Sequence, residues 1–285
     1  MKRPPAHAVP PVDGHAAPSA DTRAWAEPAA LDPLAWNGIY EGNDRPARDA
    51  GAAPGGGAGF RRSLHLAECV CLRVSRPGER WCDLGCGTGQ LAARLSAAGR
   101  PAIGVDRDAA MISFAARHAA TSTTLPAAPL ARPVFVRADA CLLPFPDESL
   151  HGVIATSLTG CLASVEAFLR EVFRVLGRDG FAIVTFTNRD SLLMRVDWLA
   201  TRVRHALRRR PDCSTRFRSF RCPDVLGRAG ALGFSVREAR FYDYRMTLGG
   251  RTLAAAPASR IADRPGSRMK RSLLGRSFLL VMQKP

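Results

Sequence analysis

From residue 60 onward the apolar positions fall into a repeating alternation. Leu64, Ala67, Cys71 and Val74 recur at helical spacing and stop at the turn Pro77-Gly78. Residues 80–84 then have strand character, and residues 91–98 predict a helix closed by Gly99. The pattern repeats with a strand over 103–106, a helix over 111–119, and strands over 134–136 and 152–155. Val165, Phe168, Leu169, Val172, Phe173 and Leu176 share one helical face. Gly177 to Gly180 reads as a turn into a fifth strand, Phe181 to Phe186. Later segments predict a short helix over 224–231 and strands over 235–244 and 277–282. Strands and helices in this order argue for an α/β fold, a mostly parallel sheet with helices on both faces.

The flanks differ in character. Residues 1–24 are rich in Pro and Ala without periodicity and predict a disordered tail. Residues 25–59 form an N-terminal segment carrying Trp25, Trp36 and Tyr40, then a linker, Gly51 to Gly59. The core is expected over 60–186 and the C-terminal part of the sheet over 223–285. Between them, residues 187–222 predict a helical cap insertion. Leu192, Val196, Leu199, Val203 and Leu207 line one face of its helix, and Arg195, Arg202, Arg208 and Arg209 occupy much of the remainder. Three readings stand: a lid packed over a substrate mouth, a lid that also touches an anionic bilayer, or a polynucleotide surface.

Candidate chemistry centres on Asp83-Leu84-Gly85-Cys86-Gly87-Thr88-Gly89-Gln90, a strand end, a tight turn and a helix start. Alternate glycines let the backbone approach a ligand closely. Asp106 follows Gly85 by 21 residues, at the end of the second strand, where an acid can accept both hydroxyls of a ribose. The dinucleotide fingerprint would need glycine at Gln90 and fails. Asp83, at the mouth of the first strand, suits a cationic amino group rather than a pyrophosphate.

These residues resemble motif I of the class I S-adenosylmethionine-dependent methyltransferases, and the resemblance covers residues 60–186. It implies a Rossmann-like, seven-stranded, mostly parallel sheet whose last strand is antiparallel, with S-adenosylmethionine as cofactor. By the same resemblance, Asp83 and the backbone of Gly85, Cys86 and Gly87 handle the methionine end, Gly89 belongs to the same cofactor site, Asp106 binds the ribose, and Arg107 lies beside the adenine. Asp139 and Ala140 match the adenine-binding pair, and Thr156 and Ser157 match the loop under the sulfonium. Leu143-Pro144-Phe145-Pro146-Asp147 is similar to a segment of the small-molecule subgroup that includes ubiquinone- and menaquinone-biosynthesis-type enzymes. The implied activity is methylation of oxygen, carbon or nitrogen on a small or lipid-like acceptor.

Other features bound this reading. No N-P-P-Y or D-P-P-Y follows the fourth strand, which argues against a base-amino methyltransferase. An RNA methyltransferase is favoured only by the net charge of +16, and a non-catalytic cofactor-binding scaffold is the other rival. Of 41 basic residues only Lys2, Lys270 and Lys284 are lysine, so part of the charge reflects an Arg-rich composition without a dedicated partner. Cys161 is read as buried. Eight cysteines without a C-x-x-C pair argue against a zinc site and for a reduced, cytoplasmic setting, peripheral at the membrane if the 187–222 helix docks there. The N-terminus lacks the apolar stretch of a secretory signal. Tyr40, Tyr242 and Tyr244 are candidates to shape the acceptor site, with ordinary packing as the alternative. His151 sits at the amino end of the fourth strand, away from the cofactor end. His65 and His205 are further candidate bases, and the residues do not choose among them.

Overall fold

All four residues of Trp81–Leu84 are buried, Asp83 included, so this strand is covered on both faces, as a parallel sheet requires. The computed structural model describes residues 56–121, 132–207, 218–248, 251–255 and 272–285. In chain order the elements are α1 (Gly56–Val74), β1 (Trp81–Leu84), α2 (Gln90–Ala97), β2 (Ala102–Asp106), α3 (Ala109–Thr121), β3 (Val134–Arg137), β4 (Leu150–Ala155), α4 (Val165–Val175) and β5 (Leu176–Thr187). They continue with α5 (Leu192–Leu207), α6 (Cys222–Ala231), β6 (Ser235–Tyr242), β7 (Arg245–Leu248), β8 (Arg251–Ala255) and β9 (Ser277–Gln283).

Seven strands form one sheet in the order β3-β2-β1-β4-β5-β9-β6. β1 to β5 pair in parallel, while β9 lies antiparallel between β5 and β6. The order runs outward from β1 to β3, then restarts on the other side of β1 with β4. That reversal opens a crevice at the carboxyl ends of β1 and β4, where open α/β sheets bind ligands.

Alternate side chains of each strand feed two cores. Cys82, Leu84, Val153 and Ala155 face Phe168, Leu169 and Val172 of α4 on one side. Trp81 and Ile154 face Leu64 and Ala67 of α1 and Leu91 and Leu95 of α2 on the other. Ser164 starts α4 by accepting the N–H of Ala167 at 3.1 Å. Trp81 pairs with Gly152 across β1 and β4, and its indole fills the space that a Cβ at Gly152 would take.

Several sequence expectations are corrected. α1 begins at Gly56, inside the stretch read as a linker, and Gly59 packs on the Arg245 guanidinium. Tertiary docking there overrides the weak helix propensity of glycine. β5 starts at Leu176, before Phe181, and the turn expected over Gly177 to Gly180 lies inside it: Asp179 is left-handed at φ 60°, and these residues fall between the pairs Leu176–Leu150 and Phe181–Gly152. Leu176 pairs with Leu150 before a register shift, and Lys284 donates its N–H to Gly180 at 2.9 Å. β6 ends at Tyr242 because Asp243 turns the chain with φ 60°, so Tyr244 does not continue its face. The β7–β8 hairpin had no clear sequence signal. Residues 1–24 and the segment bearing Tyr40 lie outside the described residues.

The largest correction concerns α5. Its apolar stripe forms as the spacing predicts, yet it is turned outward: Leu192, Val196, Leu199, Val203 and Leu207 are 46, 54, 60, 51 and 81% exposed. A lid packed down through that stripe is therefore not what the chain builds. The inward side carries Asp197, fully buried against Arg276 at 2.9 Å. Asp243 lies 4.0 Å from Arg276 and chelates Arg245, whose Nη2 is 2.8 Å from Oδ2. Removing one member strands a buried charge, whereas replacing both with apolar groups does not. We expect Asp197→Ala to lower unfolding free energy by about 3–5 kcal/mol, and Asp197→Leu with Arg276→Met to restore most of it. Urea denaturation followed by circular dichroism checks both; an unchanged midpoint in the single variant would refute the role.

Candidate functional site

The loop after β1 takes its shape from three glycines. Gly85, Gly87 and Gly89 have φ of 70, 52 and 79°. At Gly89 the restriction is steric as well, because a Cβ would fall 2.6 Å from the Phe135 ring. Val105 O accepts the N–H groups of Gly85 at 2.8 Å and Cys86 at 3.0 Å. Gly89 then precedes α2, whose first turn lies over the crevice. Cys86 is buried, and burial pushes its thiol well above the usual range, with Asp83 and Asp106 adding to the effect. It is a packing group, not a nucleophile.

Two carboxylates flank this loop. Asp106, at the end of β2, accepts the Gly87 N–H on Oδ2 and the Asp108 N–H on Oδ1, both at 2.9 Å. Burial raises its pKa, against the opposing pull of those bonds. Asp83, in β1, is 2% exposed. Burial lifts its pKa from 3.8 to about 7; the Ala92 N–H opposes the rise and the charge of Asp106 adds to it. Two acids that repel each other in a half-dry crevice favour a ligand bringing positive charge and hydroxyl donors. Thr88, between them in sequence, is 1% exposed, and its Oγ1 has no hydrogen-bond partner.

The remaining cofactor candidates lie at the carboxyl ends of the neighbouring strands. Arg107 follows β2, is exposed, and accepts Arg137 Nε on its carbonyl at 3.1 Å. Asp139 follows β3, exposed, with Oδ1 accepting the Cys141 N–H at 2.8 Å, while Ala140 is buried beside it. Thr156 is buried at the end of β4, and Ser157 is exposed in a left-handed conformation, φ 57°. Sequence reading missed Thr185 of β5, whose Oγ1 accepts the Ser157 N–H and whose carbonyl accepts the Thr159 hydroxyl, each at 2.9 Å. It fixes the loop that Ser157 begins. Arg174 of α4 was missed as well: it donates to the carbonyls of Leu143 and Phe145 and pairs with Glu171, which in turn accepts the Leu143 N–H at 2.7 Å. Thr185 sits in the apolar run Phe181–Phe186 like any strand residue and gave no signal, and the basic end of α4 becomes one for Arg174 only once the neighbouring loop is known.

Other candidates are placed elsewhere. Tyr242 shares a 2.6 Å hydrogen bond with Ser63 inside the core, and burial pushes its phenol to about 12. Tyr244 is buried and donates to Phe241 O at 2.9 Å. His151 lies at the amino end of β4, accepting the Arg80 N–H at 3.2 Å. His65 is on exposed α1 surface beside Cys69. The His205 side chain lies outside the described residues. Cys161 is exposed, not buried, because the single turn Thr159–Cys161 directs Leu162 into the core instead.

Comparison with known proteins agrees with this geometry. Residues 82–184 match the family described as "Methyltransferase domain". Over 127 residues the chain is 31% identical to fatty-acid O-methyltransferase of Mycolicibacterium smegmatis, a match covering 44% of this chain and 43% of that protein. It is 32% identical to phthiotriol/phenolphthiotriol dimycocerosates methyltransferase 1 of Mycobacterium ulcerans, over 44% of each. The chain thus spans less than half the length of these two relatives. Magnesium protoporphyrin IX methyltransferase from Synechocystis PCC 6803, solved with bound SAH, shares the fold with a TM-score of 0.61 at 17% identity, over 88% of this chain and 94% of that one.

The raised pKa of Asp83 predicts a pH signature. The ligand-free folded state holds a proton on Asp83 that the unfolded chain releases, so the contribution of this group to stability is fully present below pH 3.8 and is lost as pH rises to about 7. Asp83→Asn should remove the part of the decline due to Asp83 and leave the protein more stable than the parent at pH 8. Melting temperatures across the range test this, and parallel curves for the two proteins would refute it.

Proposed function

We propose that this chain, whose residues 82–184 are a class I S-adenosylmethionine-dependent methyltransferase domain, methylates a small, lipid-like acceptor. The observation that carries the reading is the pair Asp83 and Asp106 on either side of a left-handed glycine loop, at the sheet's order reversal. S-adenosylmethionine fits that donor set: it has an ammonium, a sulfonium and two ribose hydroxyls. When bound, it supplies an electrophilic methyl group with a good leaving group.

The chain's own residues bind and align. Asp83 and the backbone of Gly85, Cys86 and Gly87 would hold the methionine end, and Asp106 would accept the ribose hydroxyls. Arg107, Asp139 and Ala140 would border the adenine. Thr156 and Ser157, held by Thr185, would shape the floor near the sulfonium. Displacement at a methyl group needs the nucleophile in line behind it, so positioning supplies much of the acceleration, up to roughly 7–11 kcal/mol in well-oriented systems. A lipid-like acceptor is supported by the names of the two curated relatives, both lipid methyltransferases.

Two measurements test the reading. Asp106→Ala should weaken S-adenosylhomocysteine binding by about tenfold or more, the loss of a charge-assisted hydrogen bond, while melting stays cooperative; unchanged affinity by calorimetry would remove Asp106 from the site. With methyl-labelled S-adenosylmethionine and a fractionated cell extract, label should enter the lipid or small-molecule fraction. Label confined to RNA would overturn the acceptor class, and cofactor binding without label in any fraction would favour the scaffold.

A further inference from the structure

α5 presents an apolar stripe to solvent and a carboxylate to the core, the reverse of an ordinary surface helix. At 100° per residue, Leu192, Val196, Leu199, Val203 and Leu207 fall within an arc of about 80°. Arg195 and Arg202 are exposed along one flank. Beside them Trp198 is 38% exposed, with the Arg202 guanidinium 4.6 Å from its ring centroid. The only carboxylate of the helix, Asp197, is sealed against Arg276. The outward surface of α5 therefore combines alkyl groups, an indole and cationic charge, with no acid of its own.

We propose that α5 is an interfacial anchor that lies on an anionic lipid bilayer, its stripe among the acyl chains and its arginines at the headgroups. The chemistry selects this occupant. An apolar stripe gains little from a polyanion without alkyl groups, but Arg flanking Leu, Val and Trp matches the boundary between phosphate and hydrocarbon. A second copy docking stripe to stripe would bring Arg195 and Arg202 towards their counterparts, on chains that each carry a formal charge of +16. No helix among the described residues is long and apolar enough to cross a membrane, so α5 would lie along the surface. Its buried ion pair to Arg276 and its start at Asn188–Ser191, bonded to the carbonyls of Ser272, Leu274 and Gly275, give it a rigid base.

The test needs neither cofactor nor acceptor, so it stands or falls apart from the proposed reaction. The full chain is floated with vesicles of phosphatidylcholine alone or mixed with phosphatidylglycerol. Binding to the mixed vesicles, lost with added salt, is expected. Val196→Glu with Leu199→Glu should weaken it by about tenfold or more, since each removes an alkyl group from the acyl boundary. Arg195→Glu with Arg202→Glu should reduce the preference for the anionic vesicles. Because all four side chains are exposed, these variants should melt like the parent; if one does not, Leu207→Gln at the 81%-exposed end replaces it, with weaker binding still expected. No binding to anionic vesicles, or binding untouched by the stripe variants, overturns the proposal. A concentration-dependent dimer in sedimentation, dissolved by Val196→Glu with Leu199→Glu while vesicles do not bind, overturns it too and assigns the stripe to self-association.

Discussion

The grip of Asp106 on the glycine loop holds the site together. One oxygen takes the N–H of Gly87 from the loop after β1, and the other takes that of Asp108 at the start of the next connection. Two neighbouring strands thereby end at a common point, and the loop is held in left-handed conformations that only glycine enters cheaply. Val105 O, one residue earlier, takes two more N–H groups of the same loop. Consequently the carboxylate that resembles the ribose acid is also a structural clamp. Its remaining lone pairs are oriented before any ligand arrives, which lowers the ordering cost of binding.

Much of this was legible in the chain because local and global signals agree. The five parallel strands follow from short runs of strand character between helices, and their carboxyl ends bring together Asp83, Asp106, Asp139 and Ser157 from positions far apart in sequence. Elements set by long-range contact were not legible. Gly56–Gly59 looks like a linker, but it opens α1, with Gly59 packed against Arg245. β6 looks as if it runs on to Tyr244, but the left-handed Asp243 ends it at Tyr242. Thr185 looks like any strand residue; only its position across from the β4 exit gives it work.

α5 shows the limit of periodicity most clearly. Spacing states that five apolar residues share a face, but not which way the face points. Asp197 decides it, because a carboxylate matched by Arg276 at the base of the helix rotates the stripe outward. Reading it in advance would have required knowing that Arg276, 79 residues away, waits at the same place. The ion pair thus sets orientation, a role attested for buried charges in other folds.

β9 is threaded between β5 and β6, and Arg276 immediately precedes it. Neither the far edge of the sheet nor the seat of α5 can exist until that strand arrives. β9 and the arginine before it thus act as a keystone: they join two strands that would otherwise not meet and seat α5, while the glycine loop and its two acids end strands that do not pair with β9.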